Sequence, residues 1–270
     1  MPYLTLPDVT LHFEVDGNGP PVVLIAGMAS DGASWGPLVG RLAECHTVIR
    51  PDNRSTGRST PWDAPVSVPI WAGDIVALLD HLEIAQAHLV GHSLGGMIGM
   101  QVARDAPARV RSLTLLSAAP LRLARNDALF AMMLALRAQG MARDLWLRAF
   151  YPWLFHPRFF DDPDVVETAI NLSLAYPHAQ SAAAMAHQAA ALRGFDPATL
   201  RRGPDLPVLA LLAAHDLLIP QHAATAALAD FPRLTLDMVP EAGHSVHWDA
   251  PEAVLARLTP FLACHAGAAR

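Results

Sequence analysis

The sequence predicts an α/β protein: a mostly parallel central sheet with helices on both faces, and a helical segment inserted into the chain. Short apolar runs alternate with segments of helical length, which is typical of parallel strands joined by helical crossovers. This alternation stops after about residue 120 and resumes near residue 201. The 270 residues are 52% hydrophobic and only 16% charged, a composition that favours a large buried core.

The first elements follow from turn signals and apolar runs. The segment "LTLPDVTLHFEV" is typical of a strand or hairpin interrupted by proline and aspartate, and "DGNGPP" is a strong turn signal. The run "PVVLIAG" is continuously apolar and ends in glycine, as expected of a strand buried on both faces. The next two elements are a helix through "WGPLVGRLAE" and a strand through "HTVIRPD".

The same rhythm continues through the middle of the predicted sheet. In "IWAGDIVALLDHLEI" the spacing places Ile75, Leu78, Leu79 and Leu82 on one face of a helix. The elements that follow are, in order, a strand ("AHLVGH"), a helix ("SLGGMIGMQVARDAP") and a strand ("VRSLTLLSAA").

Residues 121–200 interrupt the pattern, because they are almost wholly helical and rich in Ala, Leu, Met and Arg. Strand signals return at "PVLALLA" and "RLTLDMV", and "PEAVLARLTPFLACH" predicts a final helix. We therefore predict a core formed by residues 1–120 and 201–270, with residues 121–200 as an inserted helical cap. The cap contains an aromatic cluster: Trp146, Phe150, Tyr151, Trp153, Phe155, Phe159 and Phe160.

Charge and composition exclude several classes of function. The net charge is −6, and the 19 basic residues are scattered arginines, so we expect neither a nucleic-acid partner nor a basic membrane patch. The absence of lysine excludes Schiff-base, phosphate-loop and Ser-x-x-Lys chemistry. The first residues lack the pattern of a signal peptide, and two cysteines do not make a disulfide framework. We expect a cytoplasmic protein that is not associated with a membrane.

The segment from Gly91 to Gly95, "GHSLG", matches the Gly-x-Ser-x-Gly pattern and has a predicted strand before it and a helix after it. On such a turn a serine projects its oxygen above the sheet, and glycines keep other side chains out of the bend. The alternative is that Ser93 is a small residue where a helix packs closely on the sheet. The pattern by itself leaves both interpretations open.

A serine nucleophile needs a base and a carboxylate that orients the base. His244 lies in a loop between the last predicted strand and the final helix, and Asp216 follows a buried strand. Asp205 and Asp237 are less well placed, since one precedes a proline and the other lies inside a strand. The order Ser93, Asp216, His244 is the order of α/β hydrolases rather than of the chymotrypsin or subtilisin types.

His247 stands three residues after His244, which invites a metal site, but neither a cysteine nor a carboxylate completes a ligand set at the usual spacing. We therefore predict no metal site and interpret His247 as a packing residue or as part of the substrate-binding wall. Trp146 and Trp153 are candidate substrate-binding residues, although packing within the cap explains at least half of the aromatic cluster. Arg122, Arg125 and Arg193 could meet a substrate carboxylate, but exposed helical arginine is the commoner explanation.

The chain resembles the α/β-hydrolase superfamily over nearly its whole length. The matching segments are "VVLIAGMASDGASW", "VIRPDNRSTGRS", "DIVALLDHLEI", "LVGHSLGGMIG", "LLAAHDLLIP" and "EAGHSVHWDAPE". The resemblance implies an oxyanion hole formed by the backbone N–H groups of Met28 and Leu94, and it implies no cofactor. It also implies that Asp52 and Arg54 belong to a structural loop. The chain has Ala26-Gly27 where most members have His-Gly, a change that leaves the backbone donor in place.

Within the superfamily, the chain is similar to the 3-oxoadipate enol-lactonase-like and the polyketide methyl-esterase-like branches. These resemblances imply an esterase or lactonase that acts on a small molecule through an acyl-enzyme. Two alternatives remain: C–C bond hydrolysis or perhydrolase-type chemistry on the same triad, and a non-enzymatic receptor or scaffold that keeps the fold.

Overall fold

The computed structural model describes residues 2–266, within which eight strands form a single sheet in the order β1-β2-β4-β3-β5-β6-β7-β8. Strands β3 to β8 run parallel, and β1 and β2 add an antiparallel edge. This confirms the predicted α/β class. The strands are Tyr3–Thr5 (β1), Thr10–Asp16 (β2), Pro21–Ile25 (β3), Thr47–Pro51 (β4), Ala87–His92 (β5), Val110–Leu116 (β6), Val208–Ala213 (β7) and Leu234–Val239 (β8).

Helices cover both faces of the sheet, which explains why the central strands are continuously apolar. In β3, Val22 and Leu24 pack against one helical layer, whereas Val23 and Ile25 pack against the other. Every residue of β5 and β7 is buried. The helices of the described chain are Gly36–Ala43 (α1), Val68–His81 (α2), Leu94–Asp105 (α3), Ala124–Ala138 (α4), Arg143–Phe150 (α5), Pro163–Ala175 (α6), Ala182–Arg193 (α7), Gln221–Ala227 (α8), Val246–Asp249 (α9) and Pro251–Cys264 (α10).

The two helical layers bury separate apolar clusters. Helices α1, α9 and α10 pack on one face, where Leu38 and Leu258 are fully buried. Helices α2, α3 and α8 pack on the other face. In α2, the residues Ile75, Leu78 and Leu79 are buried against the sheet, as their spacing predicts. The short helices α8 and α9 have no clear signal in the sequence, because each spans two turns or fewer and depends on packing against the core.

Helices α4 to α7 and short 3-10 turns occupy the chain between β6 and β7, and the structure has no strand in this stretch of described residues. We use the name cap for residues 121–200. A separate apolar cluster holds the cap helices together, and it includes Leu129, Met133, Trp146, Phe150 and Met185. Part of the predicted aromatic cluster therefore forms the interior of the cap.

Among residues 2–266, no helix combines the length and the apolar composition that a membrane-spanning segment needs.

Candidate active site

Ser93 occupies the sharp turn between β5, which ends at His92, and α3, which begins at Leu94. Its backbone has φ 52° and ψ −115°, a conformation that residues other than glycine rarely adopt. Two hydrogen bonds hold the turn: Ser93 N donates to Leu116 O at 3.0 Å, and Ser93 O accepts from Gly96 N at 3.0 Å. A strained residue of this kind persists only where the surrounding structure holds it in place, and such residues are concentrated at functional sites.

The glycines around Ser93 are required by close backbone contacts. A Cβ atom on Gly91 would overlap the carbonyl of Gly95, and one on Gly95 would overlap the carbonyl of Ile25. A Cβ atom on Gly96 would overlap the side chain of Ala118. The helix therefore approaches the sheet closely at this point, and both interpretations of the motif contain some truth. The glycines serve packing, and that packing supports the strained serine.

Parallel strands β5, β7 and β8 bring three loops to one edge of the sheet, because their carboxyl ends point the same way. Asp216 lies three residues after β7, and His244 lies five residues after β8. His244 Nδ1 is 2.9 Å from Asp216 Oδ2 and 3.1 Å from Oδ1, and both side chains are buried. The two residues are thus paired although 28 positions separate them in the sequence.

Asp216 is held as an ionised carboxylate. Its Oδ1 accepts hydrogen bonds from the N–H groups of Leu218 and Ile219, each at 2.8 Å. Burial alone would raise the pKa of Asp216, but the His244 imidazole and these two N–H groups lower it, so its pKa lies below the ordinary value. A carboxylate only accepts hydrogen bonds, so the proton of neutral His244 sits on Nδ1 and leaves Nε2 as a base.

The competing aspartates do not approach His244. Asp237 lies in β8, where its Oδ2 pairs with Arg257 Nε at 2.6 Å. Asp205 precedes β7 and lies outside the cavity that contains Ser93.

Two further imidazoles pack beside His244. The ring centre of His92 lies 4.9 Å from that of His244 and 4.6 Å from that of His247, which in turn lies 4.8 Å from Trp35. His92 Nε2 is also 2.9 Å from His244 O. Burial, with His244 nearby, lowers the pKa of His92 to about 3, and burial beside His92 lowers the pKa of His247 well below its ordinary value. Both rings are therefore neutral at pH 7 and add no charge beside His244.

Ser93 and His244 open onto one cavity of about 780 Å³ between the core and the cap. Its walls are mostly hydrophobic, as in typical small-molecule sites. Six of the eight candidate site residues line it: Met28, Ser93, Leu94, Trp146, His244 and His247. Asp216 lies behind His244, where an orienting carboxylate is expected.

Trp153 does not line the cavity, in contrast to its assignment from the sequence as a candidate substrate-binding residue. It belongs to the 3-10 turn Tyr151–Trp153 and packs against the interior of the cap, with the guanidinium of Arg125 5.8 Å from its ring centre. Trp153 thus lies outside the cavity although its neighbours Tyr151 and Leu154 line it. An aromatic cluster in the sequence does not reveal this difference, because the direction of each ring depends on the packing of the cap.

The loop after β3 packs directly against the serine turn. A Cβ atom on Gly27 would lie 2.9 Å from His92 Nδ1 and 3.3 Å from Ser93 Cβ. Met28 follows immediately, and Leu94 is the first residue of α3, where backbone N–H groups have no partner within the helix. Met28 and Leu94 both line the cavity around Ser93.

The cap contacts this loop through Gln188, a fully buried residue of α7. Gln188 Oε1 accepts a hydrogen bond from Ala29 N at 3.4 Å, and Gln188 Nε2 donates one to Arg54 O at 3.3 Å. Ala29 has φ 62°, so the backbone next to Met28 is also in a rare conformation. Sequence reasoning missed Gln188, because its role depends on a partner in a distant loop.

The loop that contains His244 is also bonded to the cap. Asp249 Oδ2 accepts hydrogen bonds from Gly243 N at 2.8 Å and from His156 N at 2.9 Å. Ser245 N donates to Leu154 O at 2.8 Å. Burial raises the pKa of Asp249 above its ordinary value. These bonds hold the residues on both sides of His244 against the cap.

A third link between cap and core crosses the cavity wall. Tyr176 OH donates to Asp31 Oδ2 at 2.7 Å, and both residues line the cavity. Burial raises the pKa of the Asp31 carboxyl, and burial together with the Asp31 hydrogen bond raises the pKa of Tyr176.

Asp52 and Arg54 lie outside the cavity and have structural contacts, although Thr56 and Gly57 of the same segment line it. Arg54 forms two hydrogen bonds to the Asp74 carboxylate, at 2.7 and 2.8 Å, and one to Asp8 at 2.6 Å. Asp52 accepts from Gly32 N at 3.0 Å and thereby supports the loop after β3.

In the part of the chain that the structure describes, no group of three or more His, Cys, Asp or Glu side chains could hold a metal ion.

A family model described as "Alpha/beta hydrolase family" matches residues 22–257. The chain is 34% identical over 258 residues to the "Putative carbamate hydrolase RutD" of Variovorax paradoxus (strain S110), covering 94% of this chain and 96% of that protein. A protein of the same name from Azorhizobium caulinodans is 30% identical, covering 93% of this chain and 94% of that protein. The enol-lactonase of Burkholderia xenovorans LB400 superposes with a TM-score of 0.85 at 22% identity, covering 97% of this chain and all of that one.

Proposed function

The chain belongs to the alpha/beta hydrolase family, and on that premise we propose that it is a serine hydrolase of carboxylic esters or lactones that forms an acyl-enzyme. The observation that carries this proposal is the shared cavity: the strained Ser93 and the Asp216-bonded His244 open onto the same space. A nucleophile, a base and an orienting carboxylate are the groups that acyl transfer requires.

In the first step, His244 Nε2 takes the proton of Ser93 Oγ as that oxygen attacks the carbonyl carbon. The carbonyl oxygen becomes an oxyanion, and the N–H groups of Met28 and Leu94 would donate hydrogen bonds to it. Each such donor lowers the barrier by roughly 3 kcal/mol, because it points in advance to the place where charge develops.

Asp216 keeps its negative charge throughout the reaction. It holds the His244 ring so that Nε2 faces the serine, and it stabilises the imidazolium that forms. The lowered pKa of Asp216 supports this role, since the carboxylate stays ionised at the pH where His244 acts as a base.

The tetrahedral intermediate collapses when His244 returns its proton to the leaving alkoxide oxygen, which frees an alcohol and leaves an acyl group on Ser93. A water molecule then gives a proton to His244 and attacks the acyl carbonyl. Collapse of the second intermediate releases the carboxylic acid and restores the Ser93 hydroxyl. With a lactone, the alcohol and the acid remain in one molecule, so the product is a hydroxy acid.

Carbamate hydrolysis is the second candidate, because relatives with at least 30% identity over nearly the whole chain bear the name "Putative carbamate hydrolase RutD". The same serine attack on a carbamate carbonyl requires no further group. The large and mostly hydrophobic cavity favours an ester or lactone with a sizeable acyl part.

Labelling with a fluorophosphonate tests the proposal, with the adduct located by mass spectrometry. We expect one adduct on Ser93 in the folded protein and none after unfolding, because the nucleophile depends on His244. A folded protein that leaves Ser93 unlabelled would contradict the assignment and would favour a receptor or scaffold. A panel of esters, lactones, carbamates and β-diketones then separates ester hydrolysis from carbamate and C–C bond hydrolysis. Formation of peracid from acetate and hydrogen peroxide reports perhydrolase activity.

A further inference from the structure

We propose that the substrate carries a carboxylate remote from the bond that is cleaved, and that Arg137 of the cap binds this carboxylate. The inference rests on the proposed function, since it concerns the same cavity as Ser93. The sequence pointed to Arg122, Arg125 and Arg193 for such a contact and not to Arg137.

Arg137 lies in the last turn of α4 and lines the cavity that also contains Ser93. The side chain is half-buried, and its contacts within the protein are uncharged. One guanidinium nitrogen donates to Gln180 O at 3.1 Å, another lies 3.7 Å from Met185 Sδ, and the group sits 5.1 Å from the ring centre of Trp146. These contacts orient the guanidinium and leave several of its five N–H donors unused.

Among residues 2–266, Arg137 forms no ion pair with an aspartate or glutamate. Three arginines of the cap do form one: Arg122 pairs with Asp127, Arg148 with Glu167, and Arg158 with Glu241. The other arginines of the cap, Arg125, Arg143 and Arg193, are exposed to solvent, whereas Arg137 is half-buried. Burial, with Arg143 nearby, lowers the pKa of Arg137 below its ordinary value. A cation that has lost water without gaining an anion is destabilising, and a bound carboxylate would remove that penalty.

The remaining charges of the cavity favour an anionic ligand as well. Its cations besides Arg137 are Arg122, Arg143 and Arg193, whereas its anions are Asp31 and Asp127. Asp127 pairs with Arg122, whereas Asp31 accepts hydrogen bonds from two neutral donors, Tyr176 OH and Ala33 N. Four arginines against two aspartates make the net charge of the cavity wall positive, and Arg137 is the most buried of these arginines.

A planar guanidinium can bind both oxygens of a carboxylate at once, which explains why arginine rather than another cation suits this place. Trp146 contributes the face below the guanidinium, and its own indole N–H donates to Met133 O at 2.9 Å within the cap. The sequence-based assignment of Trp146 to the substrate site thus gains a specific form: it supports the residue that holds the charged end of the substrate.

Binding of dicarboxylates tests the subsite without any chemistry. Isothermal titration would compare succinate, adipate and suberate on the wild-type protein, Arg137→Gln and the control Arg148→Gln. Arg148 is an arginine on the neighbouring helix that pairs with Glu167 and lies outside the cavity. We expect at least one dicarboxylate to bind wild type and Arg148→Gln equally, and Arg137→Gln about 10- to 100-fold more weakly, as for a lost charge-assisted hydrogen bond. Equal affinity in all three proteins, or no binding to any, would overturn the proposal.

Turnover provides the second readout. Monomethyl adipate is compared with dimethyl adipate, and 6-acetoxyhexanoate with its methyl ester, so that the carboxylate lies on the acyl side in one pair and on the alcohol side in the other. We expect wild type to prefer the anionic member in at least one pair, and Arg137→Gln to reduce that kcat/KM ratio about 10-fold or more. Arg148→Gln should keep the ratio. A wild-type preference for the neutral ester in both pairs would contradict the proposal.

The two readouts separate this inference from the proposed function. If no ester, lactone or carbamate is hydrolysed but a dicarboxylate binds in an Arg137-dependent manner, the anion subsite stands and the hydrolase assignment fails. If neutral esters are hydrolysed and label Ser93 but Arg137→Gln changes neither binding nor selectivity, the hydrolase stands and the subsite fails.

Discussion

The core and the cap hold their parts of the cavity by different means. In the core, steric contacts that tolerate no change surround the serine turn: Gly91, Gly95 and Gly96 have no room for a Cβ atom. In the cap, separate hydrogen bonds form links to the core, such as those of Tyr176 to Asp31 and of Gln188 to Ala29 and Arg54. The difference teaches that close packing fixes the reactive groups of the core. The substrate contacts of the cap depend on separate hydrogen bonds, each of which a single substitution can remove.

The comparison predicts that the largest loss of activity comes from the core. Ser93→Ala should reduce kcat/KM for a p-nitrophenyl ester by roughly 10⁴-fold or more, because no other group forms the acyl-enzyme. Initial rates and mass spectrometry of the labelled protein measure the effect.

Ser117→Ala is a matched control for Ser93→Ala. Ser117 is also a buried serine at positive φ just after a neighbouring strand, but it does not line the cavity. Activity should stay within a few-fold of wild type. If both serine variants lose activity equally, strain in the sheet rather than nucleophilic attack would explain the loss.

Asp216→Asn should produce the next largest effect, a decrease in kcat of about 10³- to 10⁴-fold. The asparagine amide would favour the wrong His244 tautomer, with the proton on Nε2. Asp237→Asn is the matched control. Asp237 lies in the adjacent strand β8 and pairs with Arg257 rather than with His244, so this variant should leave kcat nearly unchanged. A pH profile of kcat/KM completes the test, because retention of the wild-type profile and rate in Asp216→Asn would remove this residue from the mechanism.

Acid should destabilise the core through its buried neutral histidines. Burial lowers the pKa values of His88 and His92 to about 3, and that of His247 also lies well below its ordinary value. As the pH falls, the histidines of the unfolded chain are protonated first, near pH 6.5, while those of the folded protein stay neutral. The free energy of unfolding is therefore highest above about pH 6.5 and decreases as the pH falls toward the pKa values of the folded state. Each histidine should reduce the free energy of unfolding by about 1.4 kcal/mol per pH unit over that window.

Urea unfolding between pH 7 and pH 4.5 measures this slope. His88 is bonded to Ser112 Oγ at 2.7 Å and does not line the cavity, so His88→Gln should reduce the slope by the contribution of one proton. An unchanged slope in this variant would show that His88 does not take part in the acid response.

The smallest effect is expected where the cap touches the loop after β3. Gln188→Ala removes the hydrogen bond to Ala29 N, next to the proposed oxyanion donor Met28, and also the bonds to Arg54 O and Gln180 Nε2. We expect a decrease in kcat of about 5- to 10-fold with little change in KM, as for the loss of one hydrogen bond of about 1 kcal/mol.

His187→Ala on the same helix separates loop positioning from general loosening of the cap. His187 Nε2 is 2.9 Å from Ala64 O, so this variant also removes a link between cap and core, but one that does not reach the loop. Gln188→Ala should lose more thermal stability, since it breaks three hydrogen bonds of a buried side chain, and only Gln188→Ala should lose kcat at a temperature where both variants are folded. Equal kcat in both would exclude a positioning role for Gln188.

Much of the fold could be predicted because its signals are local. Apolar runs located β3, β5 and β7, and helical spacing placed Ile75, Leu78 and Leu79 on the buried face of α2. The glycine pattern around Ser93 indicated a sharp turn between a strand and a helix that lie too close together for larger side chains. The order of Ser93, Asp216 and His244 then selected two partners among many aspartates and 13 histidines.

The other residues of the candidate site escaped prediction because their roles depend on partners far away in the chain. Asp31 and Tyr176 are 145 positions apart, and Ala29 and Gln188 are 159 positions apart. Trp146 and Trp153 lie in one aromatic segment, yet the packing of the cap directs only Trp146 to the cavity. Nothing in the spacing of these residues distinguishes them.

The sequence by itself determined the class of the fold and the order of the nucleophile, carboxylate and base, because hydrophobic periodicity and backbone sterics act between near neighbours. Only the tertiary structure decided which side chains face the cavity and which cation lacks an anion. Arg137 looks like any helical arginine until the chain folds, since the loss of water and the absence of a carboxylate partner arise from packing between distant segments.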